Sequence, residues 1–175
     1  MRDLGHILPS WNIESFYDLD YKLDQHKDSD LIGDYERSGH HREEMKLYNL
    51  FEPSSIPNVI YSMVLPEFDF LKNISLAVNL FKPGQYLPYH KDLYGKYKDL
   101  HNLTNESIMR IIVMLEDGIP GQILEIKDKV YSHWKAGDWY GWIDDEKHAS
   151  YNFSNRDRYA LQITGTIIDD DESKI

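Results

Sequence analysis

From Asn73 to Ile168 the sequence consists of short apolar or alternating runs separated by turn residues. This texture is typical of an all-β sandwich or barrel, because strands alternate buried and exposed side chains while Gly, Pro and Asp favour the turns between them. The runs predict eight strands, near residues 74–82, 85–90, 107–116, 122–126, 129–134, 138–143, 147–153 and 158–168. Eight short strands suit a jelly roll, so we predict a mostly β fold.

Residues 1–72 carry no clear period and predict a mixed or helical segment that supports the core from outside. Two flanking helices are expected, one over Arg42–Phe51 and one that begins near Ser54 and ends near Pro66, because both are rich in apolar residues at helical spacing. At 175 residues the chain suits one domain. We divide it into support (1–72), jelly-roll core (73–168) and acidic tail (169–175).

The net charge of −11 and the pI near 5.1 argue against nucleic acid or an anionic membrane as a partner. The absence of cysteine excludes disulfides, thiolate metal sites and a thiol nucleophile. The amino terminus has no apolar signal core, and the sequence contains no apolar run long enough to span a bilayer. We therefore expect a soluble, cytoplasmic protein that acts on a small molecule or a peptide.

His90 and Asp92 stand two residues apart at the end of a predicted strand. Side chains two apart on a strand point to the same side, so this pair offers two metal ligands together. The same tripeptide occurs at His26-Lys27-Asp28, but its polar and acidic surroundings predict a solvated loop, and we reject it as a site. The motif at His90 follows an apolar run with a Pro-Gly turn, which favours it.

His148 is the candidate third ligand, and two histidines with one carboxylate form the facial arrangement that non-haem Fe(II) oxygenases use. On its strand His148 shares a face with small polar residues, and the final strand shows the same division, with Arg158 on its small or polar face. If these faces line one cavity, Arg158 binds a carboxylate through two parallel hydrogen bonds. The alternative is a surface strand whose arginine meets water.

The chain resembles the 2-oxoglutarate- and Fe(II)-dependent oxygenase superfamily, whose fold is a double-stranded β-helix of the jelly-roll, cupin-like type. The resemblance spans about residues 73–166 and rests on His90-Lys91-Asp92, the Gly137-Asp138 turn, His148 and Arg158. Segments 110–117, 134–138 and 158–165 are similar to small amino-acid and aspartyl/asparaginyl β-hydroxylase-like members.

The resemblance implies that His90, Asp92 and His148 are the iron ligands, and that Arg158 binds the distal carboxylate of 2-oxoglutarate while its keto-acid end chelates iron. In related amino-acid hydroxylases an arginine near the start of the strand after the first motif meets a carboxylate, and Arg110 matches that position. The alternative places Arg110 outside the barrel, in an ion pair with an acid. The implied activity is hydroxylation of a C–H bond with O2, releasing succinate and CO2.

Two other functions compete with this hypothesis. A zinc protein can use the same two histidines and aspartate. A jelly-roll binding module for a sugar or peptide can use an aromatic surface, and Trp134, Trp139, Tyr140 and Trp142 form a dense aromatic segment. Such residues more often fill a core than line a ligand site. The polar insertion between Leu93 and Glu106 is placed to close over a substrate.

Overall fold

The computed structural model describes residues 4–25, 29–144 and 146–168. Its strands and α-helices are β1 (Leu4–His6), β2 (Lys22–Gln25), α1 (Ser29–Arg37), β3 (Lys46–Leu50), β4 (Leu71–Phe81), β5 (Gln85–His90), α2 (Gly95–His101), β6 (Ile108–Met114), β7 (Gln122–Ile126), β8 (Lys129–Tyr131), β9 (Asp138–Ile143), β10 (His148–Asn152) and β11 (Arg158–Ile167). Short 3-10 or π turns cover Ile13–Phe16, Pro53–Ser55, Ile60–Val64 and Leu65–Phe68. No helix within the described ranges is long and apolar enough to cross a bilayer.

The strands form two antiparallel sheets, which confirms the predicted double-stranded β-helix. The large sheet has the order β1-β9-β6-β11-β4-β3-β2, and the small sheet has the order β5-β10-β7-β8. The predicted bounds of β5, β7 and β9 match to the residue, and the other five core strands lie within a few residues of their predicted ends. The strong alternation and the Gly-containing turns of this half explain why its strands could be predicted.

The large sheet buries its two faces against different partners. Its outer face packs on the amino-terminal turns, where Phe16, Ile60 and Phe68 join Ile111 and Leu161 in the main core. The inner face turns toward the small sheet and contributes to a second cluster, built from Ile112, Met114, Leu124, Ile126, Trp134, Tyr140, Trp142 and Ala160. Because β11 presents small or polar side chains on this inner face, the two sheets do not fill the space between them.

The helix predicted over Arg42–Phe51 is wrong, because the structure has strand β3 there. Residues 48–50 of β3 pair with β4, and Leu47 and Asn49 alternate with half-buried neighbours. Pairing with a neighbouring strand therefore outweighs the helix propensity of this segment.

The second predicted helix, near Ser54 to Pro66, corresponds to a 3-10 turn at Pro53–Ser55 followed by an unbroken helical stretch over residues 58–68, which changes from π to 3-10 geometry at Leu65. Helix α1 was not anticipated. The rejected motif at residues 26–28 and the acidic tail at 169–175 lie outside the described residues.

Candidate active site

A cavity of about 560 Å³ lies between the two sheets, and we call it the central cavity. Its walls come from the inner face of β4, β6 and β11, from β5 and β10 of the small sheet, and from the segment that leads into α2. Ser150, Arg158, Gln162 and Thr164 all line it together with His148. The small or polar faces predicted for the last two strands therefore do share one cavity, as the alternation indicated.

His90, Asp92 and His148 converge on this cavity. His90 ends β5 and His148 begins β10, and the two residues are direct cross-strand partners with ring centroids 4.4 Å apart. The Asp92 carboxylate lies 3.9 Å from Nε2 of His90 and 3.7 Å from Nε2 of His148. One ligand atom from each residue falls within 4.8 Å of the others, so the sequence-distant histidine joins the tripeptide in space.

Backbone carbonyls orient both imidazoles. Nδ1 of His90 lies 2.6 Å from the carbonyl oxygen of Pro88, and Nδ1 of His148 lies 2.9 Å from that of Glu146. A carbonyl only accepts, so each Nδ1 donates a proton to it, and Nε2 is the ring atom of each histidine that faces Asp92. Because backbone atoms fill this role, no side-chain pattern in the sequence indicates it.

This donor set suits a divalent metal. Two neutral imidazoles and one carboxylate are the ligands of non-haem Fe(II) sites, and zinc accepts the same set. Both histidines are buried, Asp92 is partly buried, and the central cavity lies open on one side of the three donors. The three residues can therefore hold a metal that keeps free positions toward the cavity.

Arg110 lies inside the cavity, so the alternative that placed it outside the barrel is wrong. Its Nη2 is 3.1 Å from Oδ2 of Asp92, and its guanidinium carbon is 5.2 Å from the ring centre of Tyr94. Burial by itself raises the pKa of Asp92, but Arg110, followed by His148 and His90, lowers it below its usual value. Asp92 is thus held as a carboxylate, the form that binds a metal.

Arg158 is almost fully buried and is held by neutral acceptors. Nη1 donates to the carbonyls of Ile123 and Tyr151 at 3.1 and 3.0 Å, and Nη2 donates to Oγ of Ser150 at 2.6 Å. The guanidinium carbon also lies 5.0 Å from the ring centre of Phe81, and the buried Nε has no hydrogen-bond partner.

The electrostatic state of Arg158 follows from that setting. Burial lowers its pKa to about 10, against a smaller opposing effect of the Glu116 charge, and no residue in the described ranges forms an ion pair with it. A buried cation without a carboxylate in contact is costly, so this position suits an anionic ligand.

The segment after Asp92 forms helix α2, and its bonds tie it to the large sheet. Tyr94 precedes the helix in the left-handed conformation, with φ of 53°, and its buried hydroxyl lies beside Asp92 and Arg110 without a hydrogen bond of good geometry. The Tyr97 hydroxyl donates to the carbonyl of Asn73 on β4 at 2.8 Å. Leu93 and Leu100 are exposed beside the cavity mouth. Closure of this segment over a ligand stays a prediction.

Sequence reasoning missed a chain of polar side chains on the opposite wall. Asn79 donates to Oδ1 of Asn49 at 2.6 Å, and Asn49 donates to Oδ2 of Asp24 at 2.8 Å. The acceptor-only carboxylate fixes the direction of both bonds. Asn49 and Asp24 belong to β3 and β2, and no pattern in residues 1–72 placed those strands beside the cavity.

The aromatic segment mostly fills the interior, in line with its interpretation as core. Trp139 packs in the main core against Phe68, with ring centroids 5.4 Å apart, and Trp134 and Tyr140 lie in the inner cluster. Trp142 additionally lines the cavity, where its ring is 4.3 Å from that of His148. Trp142 therefore packs against the imidazole of His148, a candidate metal ligand.

No protein-family model matches the chain, and no curated protein matches it in sequence. Similar solved structures include a predicted oxalate decarboxylase from Thermotoga maritima, with 16% identity, a TM-score of 0.43, and 70% of this chain and 82% of that chain covered. A sugar phosphate isomerase from a cupin superfamily of Silicibacter pomeroyi has 9% identity and a TM-score of 0.42, with 68% of this chain and 59% of that chain covered. A cupin domain from Bordetella pertussis has 16% identity and a TM-score of 0.36, with 54% and 82% covered. Two of these three structures are described as cupin proteins, and the assignment of the fold here rests on the strand order of the two sheets.

Proposed function

We propose that the protein is an Fe(II)- and 2-oxoglutarate-dependent dioxygenase that hydroxylates a C–H bond of an amino acid, a peptide side chain or a small metabolite. The observation that carries this proposal is the combination, in one cavity, of the His90, Asp92 and His148 donors with the buried Arg158, which no carboxylate of the described residues contacts. The three candidate metal ligands alone are compatible with several reactions. A buried arginine in the same cavity favours the reactions that use an anionic co-substrate.

Arg158 is suited to a carboxylate by its remaining donors. A guanidinium has five N–H bonds, and three of those in Arg158 are occupied by Ile123, Tyr151 and Ser150. The Nε–H and one Nη2–H are left, and in a guanidinium the Nε–H and the nearer Nη2–H can donate in parallel from one edge. Two parallel donors on one edge match the two oxygens of a carboxylate. This edge therefore takes the distal carboxylate of 2-oxoglutarate.

The other cavity residues position the reacting groups. The Nε2 atoms of His90 and His148 face the metal position, and Arg110 holds Oδ2 of Asp92, so that Oδ1 is available as a single ligand atom. When bound, iron, 2-oxoglutarate and O2 insert one oxygen atom into the substrate C–H bond and the other into succinate, with release of CO2. Trp142 and Ile112 border the site with apolar surface that limits the access of water.

Anaerobic addition of Fe(II) and 2-oxoglutarate to the metal-free protein tests the proposal. We expect a weak visible charge-transfer band that requires both additions, because the keto acid must chelate the iron. Arg158→Ala should bind Fe(II) but give the band only at much higher 2-oxoglutarate concentration. Absence of the band in the wild-type protein with Fe(II) bound would contradict the proposal.

Turnover is then measured as succinate release. His148→Ala should abolish it, and Asp92→Ala should do the same. The two competing functions give different results in these assays. A zinc protein would hold Zn²⁺ without a response to 2-oxoglutarate, and a sugar- or peptide-binding module would keep its binding in His148→Ala.

A further inference from the structure

Strand β2 places a carboxylate in the wall of the central cavity. Asp24 on β2 pairs with Leu47 of β3, and Asn49 of β3 pairs with Asn79 of β4. Leu47 and Asn49 are two residues apart and share a face of the sheet, so this register puts Asp24, Asn49 and Asn79 on the same face. All four residues line the cavity. The wall that β2, β3 and β4 build is therefore polar and ends in an acid.

The hydrogen bonds of this wall hold the carboxylate in place. Nδ2 of Asn79 donates to Oδ1 of Asn49, and Nδ2 of Asn49 donates to Oδ2 of Asp24. Both asparagines are buried, whereas Asp24 is half-buried. A carboxylate can accept several hydrogen bonds, and within the described residues Asp24 accepts the one from Asn49 alone. The Oδ1 atom of Asp24 is therefore available to a donor in the cavity.

Asp24 has no cationic partner in the ranges that the structure describes. Among the residues that line the central cavity it is the one acid besides Asp92, and Asp92 is already paired with Arg110. Lys91 and Lys96 also line the cavity, but both are exposed and neither forms an ion pair with Asp24. The net charge of −11 attracts cations to the protein as a whole. A cationic group of a ligand can therefore pair with Asp24.

Asp24 lies away from the position proposed for the co-substrate. Arg158 is on β11, and strands β4 and β3 separate β11 from β2. Neighbouring strands are about 4.8 Å apart, so the backbones of β11 and β2 are roughly 14 Å apart across the sheet. The carboxylates of 2-oxoglutarate would also be repelled by Asp24, since both are anionic. Asp24 is therefore suited to contact the substrate and not the co-substrate.

We propose that the substrate contains a primary ammonium group, and that Asp24 binds this group on the wall of the cavity away from Arg158. An ammonium group has a positive charge and three N–H donors, and charge-assisted hydrogen bonds to a carboxylate are stronger than those to a neutral acceptor. Asn49 and Asn79 act as positioning residues that hold the carboxylate. The role as substrate rests on the proposed dioxygenase function, whereas the binding of the ammonium group rests on the geometry of this wall.

Binding is measured on the metal-free full chain by ligand-detected NMR, so that catalysis plays no part. The probes are free amino acids, their decarboxylated amines and lysine-containing tripeptides, each paired with its N-acetylated form. We expect at least one primary amine to bind, and its acetylation to weaken binding on the order of tenfold or more, because the charge is lost. The free amines and the tripeptides distinguish the two sources of an ammonium group, a small metabolite and a lysine side chain.

Asp24→Asn and Asp20→Asn form a matched pair of variants. Each removes one negative charge, but Asp20 is exposed, pairs with Lys22 and does not line the cavity. Asp24→Asn keeps an oxygen that accepts the bond from Asn49, and cooperative unfolding in urea checks that the variant folds. It should weaken binding of the selected amine roughly tenfold to 100-fold and leave binding of the N-acetylated form unchanged. Asp20→Asn should change neither.

Three results would overturn the ammonium site: no probe that binds, equal binding of an amine and its N-acetylated form, or equal effects of the two variants. Equal effects are expected if Asp24 only protects the edge of β2 with its charge. Amine binding that depends on Asp24, without succinate release, would instead overturn the dioxygenase function and leave the ammonium site intact. Succinate release with a neutral substrate, unchanged in Asp24→Asn, would overturn the ammonium site alone.

Discussion

The central cavity contains two buried arginines that have different partners. Arg110 on β6 is paired with Asp92, whereas Arg158 on β11 has only neutral acceptors and two aromatic rings around it. Burial by itself lowers the pKa of each guanidinium. Asp92 and Tyr94 more than offset this for Arg110, so its pKa is raised, while that of Arg158 falls to about 10.

Arg110 therefore has its charged partner within the protein, whereas we expect the charged partner of Arg158 to be a bound ligand. The charge of Arg110 is already balanced by a candidate metal ligand, so we expect it to act through Asp92. No carboxylate within the described residues contacts Arg158, and the charge of Glu116 only partly offsets the effect of burial on its pKa, so we expect Arg158 to act on a bound anion. Conservative substitutions of Arg110 and Arg158 should therefore impair different steps, metal binding for Arg110 and 2-oxoglutarate binding for Arg158.

Arg158→Lys should have the largest effect of these changes. It keeps a positive charge but removes the planar edge that pairs with a carboxylate, so the affinity for 2-oxoglutarate should fall on the order of 100-fold. The affinity for Co(II), used as an air-stable stand-in for Fe(II), should stay unchanged because Arg158 does not contact the three donors. Both affinities can be measured by calorimetry, and an equal loss of 2-oxoglutarate affinity in Arg110→Lys would remove the distinction between the two arginines.

A double-mutant cycle tests the pairing of Arg110 with Asp92 in the metal-free protein. Asp92→Ala and Arg110→Met each leave one buried charge alone, whereas the double variant leaves none. The two changes should therefore be coupled by about 1–3 kcal/mol in the free energy of unfolding, measured in urea. The pair Lys135 and Asp117 is the control, because it is exposed, with a distance of 2.8 Å, and should show no measurable coupling. Similar coupling energies for both pairs would mean that burial does not strengthen the interaction between Arg110 and Asp92.

Arg110→Met should also weaken metal binding, by roughly tenfold, because partners that orient a ligand typically contribute that much. The Co(II) affinity without 2-oxoglutarate is the measurement. An unchanged affinity would show that Asp92 reaches its ligand position without Arg110. Arg158→Met serves as the control, since it changes a cavity arginine that lies away from Asp92.

The sequence predicted the second half of the molecule far better than the first. Strand β7 alternates strongly and β9 follows the clear turn at Gly137, so local pattern alone locates them. Alternation placed His148 and Arg158 on the small or polar faces of their strands, but it left open whether Arg158 meets water, and the full ligand set was implied by the family resemblance. Asp92 lies past the end of β5, so strand alternation does not place it.

The parts that failed depend on contacts between distant residues. Strand β3 contains good helix formers and becomes a strand only because β2 and β4 pair with it. The carbonyls of Pro88 and Glu146 that orient the histidines have no side-chain signature. The ion pair of Arg110 with Asp92 likewise depends on how β6 lies relative to the loop after β5. Local periodicity contains none of this information.

The smallest expected effects distinguish two tyrosines of the segment that covers the cavity. The Tyr97 hydroxyl donates to the carbonyl of Asn73 at 2.8 Å, so Tyr97→Phe should lower the free energy of unfolding by about 1 kcal/mol. The Tyr94 hydroxyl is buried beside Arg110 and Asp92 but makes no hydrogen bond of good geometry, so Tyr94→Phe should change the free energy of unfolding by less than that. Urea denaturation of both variants in the metal-free protein is the measurement. If Tyr94→Phe destabilised the chain as much as Tyr97→Phe, the interaction of Tyr94 with Arg110 and Asp92 would be as strong as a full hydrogen bond, and Arg110 would have a second stabilising partner of a kind that Arg158 lacks.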